Sequence, residues 1–151
     1  MIKLTHLFYS ISILFFNFQL AKVQEATQAH KDSLNAIVKQ YYELNLNVFQ
    51  ANSTVEDIDN IFALFTPEFV YIHPIYGGTY TREDLYNGYT RNQKNGGYNG
   101  DVVDIKIENK ILGLNAATVE KRFVRKNEES NLEMTLFEFK NGKISKIFEY
   151  W

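Results

Sequence analysis

The chain has 151 residues, a formal charge of −2 and no cysteine, and its aromatic content is 15%. Without cysteine there is no disulfide, no thiol nucleophile and no lipid attached through an N-terminal cysteine. The near-balanced charge leaves no basic stripe for phosphates, so nucleic acid is not an expected partner.

Residues 1–21 have the pattern of a leader. Lys3 supplies a positive start, and residues 7–18 are almost continuously apolar, with Phe8, Ile11, Ile13, Leu14, Phe15 and Phe16. That run falls short of the ~20 residues a membrane-spanning helix needs. Ala21 suits a cleavage position, so a signal peptide is expected. The expected location is therefore exported, periplasmic or secreted, with no stable membrane insertion after cleavage. Removing the leader takes away one lysine and no acid, moving the charge from −2 to −3. Residues 22–29 are polar and expected to be a flexible mature N-terminus. Residues 30–151 show no repeat, linker or low-complexity tract and are expected to form one domain.

Within that domain Leu34, Ile37, Tyr41, Leu44 and Val48 recur at helical steps. Ser53 and Glu56 have the spacing of a capping box opening a second helix, whose apolar side is Ile58, Ile61, Phe62 and Phe65; Thr66 and Pro67 stop it. Residues 69–73 alternate as a short strand ending on His73, before Pro74 and a turn at Gly77 and Gly78. Thr81 and Asp84 form a second box, opening a helix with Leu85, Tyr86 and Tyr89 that ends near Gly96 and Gly97. From Val103 the period becomes two. Strands are expected around Val103, Ile105 and Ile107, then over 117–124, 132–139 and 143–151, joined by turns at 127–130 and at Asn141 and Gly142. Helices first and an antiparallel sheet afterwards predict an α+β domain.

This order, with a strand ending in His73 and Pro74 and a last strand ending in Glu149, Tyr150 and Trp151, resembles the nuclear transport factor 2-like superfamily, its SnoaL-like branch most of all. The resemblance spans about residues 30–151 and implies a cone-shaped roll. In it, about three N-terminal helices pack into a highly curved antiparallel or mixed sheet, with a pocket at the wide end. The superfamily holds isomerases, cyclases, dehydratases and hydrolases beside members with no chemistry, so fold alone does not set function. Compared with its ketosteroid isomerase branch, Tyr41 takes the place of the oxyanion tyrosine and His73 that of the aspartate base. Thr135 stands where that branch keeps a protonated aspartic acid, and Trp151 matches a pocket-lining tryptophan. A threonine cannot replace the acid that shares an enolate's charge, which disfavours ketosteroid isomerisation. An imidazole remains competent as acid or base.

The candidate catalytic set is thus His73, Tyr41 and Thr135. His73 either points into the cone, hydrogen-bonded by Tyr41, Tyr71 or a ligand, or merely ends a strand on a backbone carbonyl. Tyr71, Tyr76, Tyr86, Tyr89, Phe137, Glu149 and Trp151 are candidate ligand contacts, and a ring of tyrosines suits a small, largely apolar molecule. Alternation sends Glu133, Glu149, Phe137 and Phe139 to the side of Thr135 and Trp151. In the preceding strand either Glu120 and Arg122 or Lys121 and Phe123 share that side. A pair of Arg122 with Glu133 or Glu149 would be a recognition device; otherwise the two glutamates are solvated at the rim. The opposite face carries Leu132, Met134, Leu136, Ile144, Phe148 and Tyr150, which a homodimer through the outer sheet face would cover. No metal site and no cofactor are expected, the histidines being only His6, His30 and His73. Three functions follow: a binder of a small apolar ligand, an enzyme of SnoaL type using His73 as acid or base, or a dimeric interaction module with a filled pocket.

Overall fold

The computed structural model describes residues 25–151. The expected leader lies outside the described residues. Helix α1, Gln28–Val48, begins on the Thr27 cap, whose side chain accepts from the His30 amide. It thus starts two residues inside the segment expected to be flexible. Helix α2, Val55–Phe62, is capped by Thr54 with Asp57, one residue later than the box expected at Ser53 and Glu56. Thr54 and Asp57 win because each side chain reaches the other's backbone amide, satisfying two free donors at once.

Strand β1, Phe65–His73, starts earlier than expected and runs through Pro67. Its pairing with the last strand is irregular between Phe65 and Val70, where a residue without an N–H does no harm to the ladder. A short 3-10 turn, Pro74–Tyr76, leads into strand β2, Gly78–Thr81, which folds back antiparallel on β1. The sequence pattern showed only a turn there. Helix α3, Arg82–Lys94, opens on the expected Thr81 and Asp84 box. Strands β3, Val102–Leu112, β4, Ala116–Arg125, β5, Glu133–Lys140, and β6, Lys143–Tyr150, complete the chain.

The six strands form one mixed sheet in the order β2-β1-β6-β5-β4-β3. All pairs are antiparallel except β1 with β6. The three helices pack against its inner face, the α+β roll that was expected. Asn141 and Gly142 both have positive φ, +53° and +72°, as the two-residue turn between β5 and β6 requires. Val38, Ile58, Ile61, Phe62, Phe69, Val119, Phe137 and Ile147 fill the closed end of the roll.

Ile144 also lies in that core, not on the outer face. Glu138 pairs with Lys146 while Phe139 pairs with Ile144, leaving Ser145 as an extra residue. This bulge turns Ile144 to the same side as Ile147. Leu132, Met134, Leu136, Phe148 and Tyr150 do stay outside, exposed or half-buried. No described helix is long and apolar enough to cross a membrane.

Candidate functional site

Strand register determines which charges meet. Lys121 of β4 lies opposite Glu133 of β5, and Thr135 of β5 lies opposite Glu149 of β6. All four side chains point to the inner face and are buried, Lys121 at 2% exposure, Glu133 at 8% and Glu149 at 5%. The Lys121 ammonium donates to Glu133 Oε2 at 3.0 Å and to Glu149 Oε2 at 3.4 Å. The Thr135 hydroxyl donates to the same Glu149 oxygen at 2.7 Å. The glutamates are therefore not solvated at a rim. Their cation is Lys121; Arg122 faces the other way, bonding the Ser130 carbonyl at 3.1 Å and reaching Glu108 at 3.4 Å.

Above this network lies a cavity of about 170 Å³. Lys121, Glu149 and Phe123 form its floor with Ile105, and Tyr41, Tyr42 and Asn45 of α1 form one wall. Tyr71 of β1, Tyr89 of α3 and the C-terminal Trp151 complete the enclosure. Tyr71 and Tyr89 also line a wider groove of about 320 Å³ with Tyr76, Tyr80 and Asp84. On another side, Phe49 and Phe123 separate the cavity from a recess of about 220 Å³ reaching Tyr98 and Arg125.

The tyrosines are held as neutral donors. Burial pushes the phenols of Tyr41, Tyr42, Tyr71 and Tyr89 well above their ordinary range, and the charge of Glu149 adds to the effect at each. Tyr89 donates to Asn45 Oδ1 at 2.9 Å, and Asn45 in turn donates to the Tyr41 carbonyl. The Tyr42 hydroxyl is buried beside Thr135 and has no hydrogen-bond partner.

Several expected site residues take other roles. His73 is 1% exposed but lines none of these cavities. Its ring lies under Tyr76, 4.3 Å between centroids, and edge-on to Trp151 at 4.4 Å. Neither ring nitrogen has a partner, so both the tyrosine bond and the carbonyl bond expected for it are absent. Phe137 is entirely buried between Tyr41 and Tyr42 and is core, not a ligand contact. Tyr86 leans on Phe62 and donates to Asp59 at 2.8 Å, away from the cavity. Thr135 is fully buried and supports Glu149; it does not reach the cavity itself. Tyr41, Tyr71, Tyr89, Glu149 and Trp151 line the cavity and Tyr76 the adjoining groove. Asn45 and Phe49 were missed; Asn45 lies on the last turn of α1 and Phe49 caps its C-terminal end, beyond the stretch of helix the resemblance drew attention to.

A solved protein of unknown function from Burkholderia xenovorans LB400, described as NTF-2 like, aligns at TM-score 0.58 with 13% identity, over 80% of this chain and 83% of that one. This chain has the nuclear transport factor 2-like fold. An LEH-like epoxide hydrolase of M. tuberculosis with the same fold aligns at TM-score 0.57 with 17% identity, covering 79% and 82% of the two chains. A hypothetical protein with a ketosteroid isomerase-like fold from Catenulispora acidiphila DSM 44928, solved in complex with trimethylamine, aligns at TM-score 0.53 with 17% identity over 76% and 84% of the two chains. No protein-family model and no curated protein matches the sequence.

Proposed function

We propose that this chain is a binding domain that holds a small, largely apolar molecule in the cavity above Lys121 and Glu149. The observation that carries this reading is the enclosure itself. About 170 Å³ of space is left unfilled by the chain's own side chains, walled by aromatic rings, with a few polar groups converging on it. The hollow mixes aromatic faces with polar groups, and its size suits only a molecule smaller than a drug-sized ligand. The complex of the C. acidiphila neighbour with trimethylamine supports the idea that this fold can hold a molecule of such size. Native mass spectrometry of the purified protein tests it. A mass increment that disappears when Ile105→Phe fills the cavity supports the reading, and the bare chain mass under all gentle conditions contradicts it.

A second reading is an enzyme, favoured by two carboxylates and a lysine beside the cavity, a set able to hold and move a proton. The M. tuberculosis neighbour, an LEH-like epoxide hydrolase, is an example of an enzyme on this fold. Here Glu149, at the cavity wall, replaces His73 as the acid–base group. Glu149→Gln would then abolish turnover while leaving binding of an uncharged ligand in place.

We further propose that the domain works after export, its leader removed, and that two copies associate through the outer sheet face. Ile72, Phe148 and Leu136 are register neighbours on that face, flanked by Met134 and the exposed Tyr150. Light scattering at micromolar concentration should give twice the chain mass, and Leu136→Glu should return it to one. The mass of the secreted protein should lack about the first twenty residues, within the usual leader length.

A further inference from the structure

The charges beneath the cavity do not balance. Lys121 supplies one positive charge against the carboxylates of Glu133 and Glu149, a formal sum of −1 in a buried set. Lys121 lies closer to Glu133 than to Glu149, at 3.0 Å against 3.4 Å. Glu149 Oε2 accepts from both Lys121 and Thr135. Glu149 lines the cavity, and no cation other than Lys121 does. A buried carboxylate that is only partly matched is costly, and a ligand able to match it gains that energy on binding.

The walls favour the same sign. Aromatic faces carry negative potential and attract ammonium groups within about 6 Å of the ring centre. The site already contains one such contact, the Lys121 ammonium 5.0 Å from the centroid of Phe123.

We propose that the molecule held in this cavity is a small organic cation, a protonated or quaternary alkylammonium. Its charge faces Glu149 and its apolar substituents face the rings of Tyr41, Tyr71, Tyr89 and Trp151. This assignment rests on the reading of the cavity as a ligand site, and it names the ligand class that reading left open.

Isothermal titration of the folded protein with choline and with its uncharged carbon isostere, 3,3-dimethylbutan-1-ol, tests the charge alone. Choline should bind at least about tenfold more tightly, the scale of a desolvated ammonium among aromatic rings. Glu149→Gln should erase that preference while the alcohol still binds. Should that variant not fold, Tyr71→Leu at a half-buried position takes its place, and choline should lose more affinity than the alcohol. Equal binding of the two probes would overturn the cation assignment and leave the cavity reading standing. Binding of neither would overturn both.

Discussion

The inner faces of β4, β5 and β6 change chemistry from one end of the roll to the other. At the closed end Ala117, Phe137 and Ile147 lie side by side in register, all buried and apolar. One step along, Val119, Thr135 and Glu149 are neighbours, and one step further Lys121 faces Glu133. The same strands, with the same pleat, thus make a filled core at one end and a polar floor beneath a hollow at the other. Apolar burial stabilises the first at roughly 25 cal/mol per Å². The second offers no such gain: a buried ion cluster often contributes less than well-packed hydrocarbon would. The polar end is the one at which we propose that a ligand binds.

Truncation at the closed end should have the largest effect. Phe137→Ala removes a ring wedged between Tyr41 and Tyr42 and should lower unfolding free energy by about 4 kcal/mol in urea titration. A loss under about 1 kcal/mol would mean that this end is loosely packed.

At the polar end, Lys121→Met leaves two buried carboxylates without a cation and should cost about 3 kcal/mol. Adding Glu133→Gln and Glu149→Gln to that variant should restore most of the loss. Failure of the triple variant to recover would show that Lys121 acts by its packed stem and not by its charge.

The first turn of α3 belongs to neither end. Thr81→Ala should cost about 1 kcal/mol, the usual worth of a helix cap. Asp84 accepts from the Thr81 hydroxyl and amide, which holds its carboxyl below the ordinary carboxylate range. Its folded pKa is the lower one, so its contribution is present above the unfolded carboxylate pKa and is lost as pH falls through the folded value. Melting temperatures of Asp84→Asn and the parent chain should therefore differ at neutral pH and converge in acid.

The least loss of stability is expected at His73. Replacing a buried imidazole that bonds nothing removes an uncompensated polar group, so His73→Leu should leave stability unchanged or raise it by up to ~2 kcal/mol. A large loss would mean that water or a ligand satisfies the ring in solution.

Much of the fold was legible because local signals agreed with it: the Thr81 box, the helical recurrence from Leu34 to Val48, and the Asn141 and Gly142 turn. Strand β2 was hidden because its four residues begin on a glycine and have too few partners to show a period. Ile144 was misplaced because a bulge cannot be seen in an alternation that assumes none. In the site, Thr135 came from the resemblance to the ketosteroid isomerase branch, and Glu149 from the alternation that shares its face. Lys121 came from neither, because β4 carries charged residues on both faces through Glu120, Lys121 and Arg122, and only pairing with β5 sets the phase. His73 was misread for a related reason. Its surroundings are made by Tyr76 and by Trp151, which lies far away in sequence.

Trp151 is the sole tryptophan and lines the cavity, so its emission reports directly on what enters there. Titrating the protein with choline while following that emission should give a saturable, single-site change that Ile105→Phe abolishes. An emission that never saturates, or that responds equally when the cavity is filled, would contradict the binding site proposed above Lys121 and Glu149.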